Sequence, residues 1–204
     1  SWPSWCCEMR LVDLTLVVNE GMPVYPGDPE VRFRGRESGG FWVSEVCLGS
    51  HTGTHVDVPR HVNPQGIGVD GIPLDRLSGY GRAIDARGQR EVELEEVPRT
   101  EVVLFYTGAT VDLAEAMKGG HPVLTVRTAE KLAEAGVKVV GVDSPSVGSL
   151  EVHRVLLENG VIIVENLSPK LRELLGKEFF FIAAPLPLKG LDGAPARAIA
   201  LLPE

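Results

Sequence analysis

The sequence predicts a single mixed α/β domain, with a mixed β-sheet core or partly closed barrel flanked by helices. Three observations carry that expectation. The first half strings together short β-rich runs, Gly/Pro turns and a hairpin signal. The second half alternates helical patterns with short, continuous β-branched runs of the kind found in buried strands. The 204 residues contain no internal repeat, low-complexity tract or linker-like stretch, which suits one core.

Taken in order, residues 11–18 are rich in Leu, Val and Thr and read as a strand. The run Met22-Pro23-Val24-Tyr25-Pro26-Gly27-Asp28-Pro29 holds three prolines and a glycine, which forbids helix and predicts an ordered loop. Residues 31–37 alternate apolar and charged side chains, Gly39-Gly40 marks a hairpin, and residues 41–48 return. Residues 63–75 are loop-like, and residues 80–86 and 101–107 read as strands. A helix is expected over residues 128–135, capped by Thr125 or Thr128 and stopped by Gly136. Residues 137–142 and 161–164 read as buried strands, separated by a helix over residues 151–158 that Asn159-Gly160 ends. Ser168 caps a further helix through Leu175, with Pro169 at its first position. Strands at residues 179–184 and 196–202 complete the pattern.

Composition narrows the function classes. Apolar residues at 44% and charged residues at 24% are ordinary for a globular protein. A net charge of -8 argues against nucleic-acid binding, which calls for a basic patch. The longest apolar runs, such as residues 179–184, are far short of the roughly 20 residues a membrane-spanning helix requires. No basic segment followed by an apolar one suggests a signal peptide. Three cysteines, Cys6, Cys7 and Cys47, provide no disulfide framework and fit a reducing cytoplasm, with Cys47 expected to pack. Residues 1–8 differ in composition from the rest of the chain and read as an extension preceding a domain of residues 9–204.

The chemistry concentrates in one segment. Three of the five histidines, His51, His55 and His61, fall within eleven residues together with Asp57. His51 and His55 are four apart, as in helical HExxH zinc sites, but Thr52 stands where that motif has its glutamate, and Gly53 and Pro59 oppose a helix. A turn followed by a strand fits better. Gly53 lets the chain fold back so that His51 and His55 converge, and on an extended strand His55 and Asp57 share a face. Two imidazoles and a carboxylate suit zinc, manganese or iron(II) and leave a coordination position open for water, as catalytic sites do. His61, past Pro59, is either a further ligand or the proton shuttle. Glu165 ends a buried apolar run, where a carboxylate needs a partner, either a cation or a salt bridge. His121, beside Pro122, reads as structural.

His51-Thr52-Gly53-Thr54-His55-Val56-Asp57-Val58-Pro59-Arg60-His61 resembles the HxGTHxDxPxH signature of the metal-dependent cyclase-like hydrolases, a family that includes bacterial kynurenine formamidases and isatin hydrolases. Weaker likenesses occur in the family's order along nearly the whole chain: the Pro26-Gly27-Asp28 loop, Gly141-Val142-Asp143-Ser144-Pro145-Ser146, the stretch from His153 to Leu167, and Gly193-Ala194-Pro195-Ala196-Arg197. The resemblance implies a swivelling β/α type of fold and two divalent ions, zinc first and manganese as the alternative. It implies that His51, His55 and Asp57 hold one ion, that Asp57 bridges to a second held by His153 and Glu165, and that His61 is the acid/base near the metals or a ligand as well. It also implies a small-molecule substrate, N-formyl-kynurenine in the first instance, opened to kynurenine and formate, with a cyclic amide or lactone as the alternative. A metal-binding protein without catalysis is the rival from another class. Tyr25, Phe41 and Trp42 are the candidate rings to stack on an aryl group. A homodimer or homotetramer is expected on the same ground.

Overall fold

The structure is a computed structural model that describes residues 9–203. The expected extension at residues 1–8, with Cys6 and Cys7, lies outside the described residues. The strands are β1 (Met9–Asp13), β2 (Arg32–Ser38), β3 (Phe41–Cys47), β4 (His55–Asp57), β5 (Ser78–Asp85), β6 (Glu91–Val92), β7 (Val102–Tyr106), β8 (Val123–Leu124), β9 (Val139–Val142), β10 (Ile162–Glu165), β11 (Glu178–Pro185) and β12 (Gly193–Pro203). The α-helices are α1 (Leu113–Ala116), α2 (Val126–Glu134) and α3 (Leu150–Glu158).

Seven of these strands close on themselves in the order β12-β11-β5-β7-β9-β10-β4, and β4 returns to β12. The ladders from β5 to β7, β9 and β10 are parallel, and those involving β11, β12 and β4 are antiparallel. The mixed sheet is therefore as expected, and the barrel is closed rather than partly closed. Closure depends on the eleven residues of β12. Its first residues pair Gly193 with Asp57 of β4, and its last pair Ile199 with Asp13 of β1, so two short strands share its free edge.

The continuous apolar runs follow from burial on both faces. In β7, Val102, Leu104 and Tyr106 face the barrel interior with Val56, Val164, Phe179 and Phe181. Val103 and Phe105 face outward onto Leu132 of α2 and Leu156 of α3. Thr125 is the cap of α2, its hydroxyl accepting from Thr128 N at 3.2 Å, and Gly136 follows the helix with φ 74°. Ser149 caps α3 in the same way.

Several local expectations shift. Residues 14–18 leave the strand after Asp13: Leu14 N donates to Ala198 O, but Leu16 N donates to the Thr54 hydroxyl, so the ladder stops at a side chain. Pro169–Leu174 forms 3-10 turns rather than an α-helix, and the Ser168 hydroxyl donates to Asp13 O instead of capping. Cys47 is exposed rather than packed. The β2–β3 hairpin stands clear of the barrel with all of its strand residues exposed, Phe41 at 76% and Trp42 at 72%. Trp42 lies across Gly35, where any Cβ would collide with the indole. No helix among the described residues is long and apolar enough to cross a membrane.

Candidate metal centre

Barrel closure assembles the site. In the antiparallel pairing of β10 with β4, Glu165 lies opposite His55 and Ile163 opposite Asp57. His55 and Asp57 point to one face, as their spacing predicts, and both are fully buried. Gly53, at φ 61°, turns the chain so that the His51 ring meets the His55 ring edge-on, with centroids 4.9 Å apart. His153 projects from the buried face of α3, and His61 ends the 3-10 turn Pro59–His61. The Gly53 turn is thus as read from the sequence.

The donor atoms converge. Asp57 Oδ1 lies 2.8 Å from His51 Nδ1 and 3.3 Å from His55 Nε2, while Oδ2 lies 3.7 Å from His153 Nε2. Glu165 Oε1 lies 3.1 Å from His153 Nε2 and accepts from Val147 N at 2.6 Å, and Oε2 lies 3.4 Å from His55 Nε2. Two triads hold ligand atoms within 4.8 Å of one another, namely His51, Asp57 and His61, and His55, Asp57 and Glu165. All six expected residues come together around a central Asp57, but His55 groups with Glu165, and His61 groups with His51.

The residues fit a divalent cation. His55 Nε2 and Asp57 Oδ2 are buried without a hydrogen-bond partner, although such atoms normally have one. His55 Nδ1 donates to Gly53 O and His153 Nδ1 to Ser149 O, which leaves each Nε2 facing the cluster in the arrangement typical of ligating histidines. Two triads sharing one buried carboxylate supply the hard oxygen and borderline nitrogen donors that such ions take.

The charge balance sets a pH dependence. Burial disfavours the charged form of His51, but the Asp192 and Asp57 carboxylates outweigh it and raise its pKa to about 9. Burial is likewise overcome at His55 by Asp57 and Glu165, raising it to about 10, and at His153 by Glu165 and Asp57, raising it to about 9. Burial opposes the ionised form of Asp57 too, yet His55 and His51 hold it well below the usual carboxylate range. Protons and a cation therefore compete for the same nitrogens, and the cation needs them neutral. Zinc affinity should fall as pH drops from about 9 to about 6, with roughly one proton released per imidazole ligated. Calorimetry in two buffers of different ionisation enthalpy measures this, and a pH-independent affinity would contradict it. Without a cation the sign reverses: the imidazolium–carboxylate pairs stabilise the fold fully below pH 6.5, and that contribution is lost through about 9 to 10.

A cavity of about 520 Å³ opens onto the cluster, walled by Pro26, Met117, Pro145 and Leu150, with Tyr25 also lining it. Phe41 and Trp42 do not line it; the hairpin carries both away. His121 is half-buried, its ring turned to Pro122 O. Two polar groups at the site escaped sequence reasoning. Asn166, buried with φ 54°, lines the cavity beside Glu165. Asp192 accepts from His51 Nε2 at 2.7 Å, and its Oδ2 lies 3.3 Å from His61 Nδ1; these histidines drive its pKa far below the usual range. Nearby Asp143 accepts from Thr107 N and Gly108 N and braces the loop after β7, although burial pushes its pKa up to about 6.

The chain is similar to proteins of one family and fold. The family profile described as "Putative cyclase" matches residues 12–149. A kynurenine formamidase of Salinibacter ruber is 33% identical over 207 residues, covering 94% of this chain and 97% of that one. A solved structure of a potential metal-dependent hydrolase with cyclase activity superposes with a TM-score of 0.80 at 29% identity, covering 97% of this chain and all of the other. Isatin hydrolase A from Labrenzia aggregata shares the fold, with a TM-score of 0.82 at 22% identity over 96% of this chain and 94% of its own. Fold and site define a divalent-metal hydrolase. The chain belongs to the metal-dependent cyclase-like hydrolase family.

Proposed function

We propose that this chain is an arylformamidase that hydrolyses N-formyl-kynurenine to kynurenine and formate. The observation that carries the reading is the pair of unpartnered buried cluster atoms, His55 Nε2 and Asp57 Oδ2, with the His55 side chain lining a cavity of mixed polar and apolar walls. The kynurenine formamidase relatives support the substrate. Asp57, shared among His51, His55, His153 and Glu165, supports two ions, zinc first and manganese as the alternative. When bound, such a cation would lower the pKa of a bound water from 15.7 toward about 7 and polarise a carbonyl oxygen.

The chain's own residues do the rest. Asp57 holds the two ligand groups in one array. His61, its ring centroid 4.2 Å from that of His51 with the two planes tilted by 46°, takes a proton from the attacking water and returns it to the leaving nitrogen. The water oxygen adds to the formyl carbon, the C–N bond breaks, and the amine leaves neutral. Tyr25 stacks on the aryl ring at the cavity wall.

Turnover of N-formyl-kynurenine, isatin and a small lactone by protein of known metal content tests this. Hydrolysis of the formamide is the expected result. Activity confined to the cyclic substrates would move the reading to a cyclic amide or lactone hydrolase, and inactivity on every aryl amide would leave a metal-binding protein without catalysis. A homodimer or homotetramer belongs to the same reading, supported by the exposed Phe33, Phe41, Trp42, Val43 and Val46 of the hairpin and tested by light scattering. So does a cytoplasmic location, supported by three cysteines that make no disulfide framework.

A further inference from the structure

Asp192 ties together two histidines with different duties. Its Oδ2 lies 2.7 Å from His51 Nε2 and 3.3 Å from His61 Nδ1. The other nitrogen of His51, Nδ1, faces Asp57 at 2.8 Å. A neutral imidazole offers a lone pair from one nitrogen only while the proton sits on the other. A carboxylate on Nε2 keeps the proton there and leaves the Nδ1 lone pair aimed at the Asp57 side of the cluster. Carboxylates commonly orient ligating histidines in this way.

The backbone fixes that carboxylate in place. Val58 N donates to Asp192 O at 3.2 Å, and the next residue, Gly193, sits opposite Asp57 in the β12–β4 ladder. A Cβ at Gly193 would collide with the Val56 carbonyl and approach His51 Cε1 to 3.2 Å, so glycine is what lets the strand come this close. Asp192 is thus delivered to the histidines by the same pairing that closes the barrel.

We infer that Asp192 is a positioning residue: by engaging both rings through one oxygen, it sets the His51 tautomer for cation binding and orients His61 toward the cavity. The inference rests on the metal-hydrolase reading above. The test uses the full chain loaded with cobalt(II), whose d–d absorption reports the ligand set. Dissociation constants come from chelator competition, with melting curves and steady-state kinetics alongside. Asp192→Ala should weaken cobalt(II) binding about 10- to 100-fold, alter the d–d spectrum and lower kcat more than it changes KM, with little change in melting. Asp192→Asn, nearly isosteric and still an acceptor, should recover part of the affinity. If Asp192→Ala does not fold, Asp192→Asn decides, because losing the charge alone should still weaken binding measurably. Parental affinity within about twofold and an unchanged spectrum in the folded variants would overturn the inference while leaving the hydrolase reading intact. A parent chain that binds no cobalt(II) would remove both.

Discussion

Asp57→Asn should abolish high-affinity metal binding and cut turnover by at least about a thousandfold, since cation chemistry supplies several kcal/mol of transition-state stabilisation and 1.36 kcal/mol is tenfold. The size of the effect follows from position. Asp57 is fully buried and lies within 2.8 Å of His51, 3.3 Å of His55 and 3.7 Å of His153, so one carboxylate serves three imidazoles. Asparagine keeps the shape but removes the charge that both ligand triads share. Without a cation, His55 then loses the foremost partner that holds it protonated and its pKa should fall, while His51 keeps Asp192 and His153 keeps Glu165. Elemental analysis of the purified variant and its rate on the best substrate measure the outcome. Near-stoichiometric metal with a rate within tenfold of the parent would show that Asp57 is not the centre of the site.

What was legible in the sequence was what is local. The turn at Gly53 and the shared face of His55 and Asp57 depend only on residues within a few positions of one another, and the structure reproduces both. The buried strands were legible because burial on both faces writes an unbroken apolar run. Barrel closure was not, because it depends on β4, only three residues long, meeting β12 from the far end of the chain. The nearness of Glu165 to His55 was hidden for the same reason: it follows from cross-strand register, which no spacing records. Asp192 carries no local mark of a site residue, being one acid just before a strand. Its one available signal was Gly193-Ala194-Pro195, the stretch that the family resemblance already marked and that pairs with the ligand strand. Phe41 and Trp42 were read as stacking rings from residue type, but their hairpin is solvated on both faces, so its pattern says nothing about the cavity.

His61→Asn separates the two duties that remain open for this residue. Half-exposed at the cavity edge, its ring lies 4.2 Å from that of His51 and 5.7 Å from that of His153. It lines the cavity, as the proposed acid/base role requires, and it also belongs to a triad able to hold a cation. As acid/base it should cost about 10²- to 10⁴-fold in kcat while metal content stays at the parental level. As a ligand it should lower metal content along with the rate, and added zinc should restore part of the loss. The acid/base outcome is expected because His61 is the most exposed of the clustered histidines, on a turn rather than a strand, while His55 and His153 have their Nδ1 protons fixed by backbone carbonyls. A residue that must gain and lose a proton in each cycle needs water and freedom to shift. Asp192 is its observed side-chain anchor, and that contact is long at 3.3 Å, which leaves the ring that freedom.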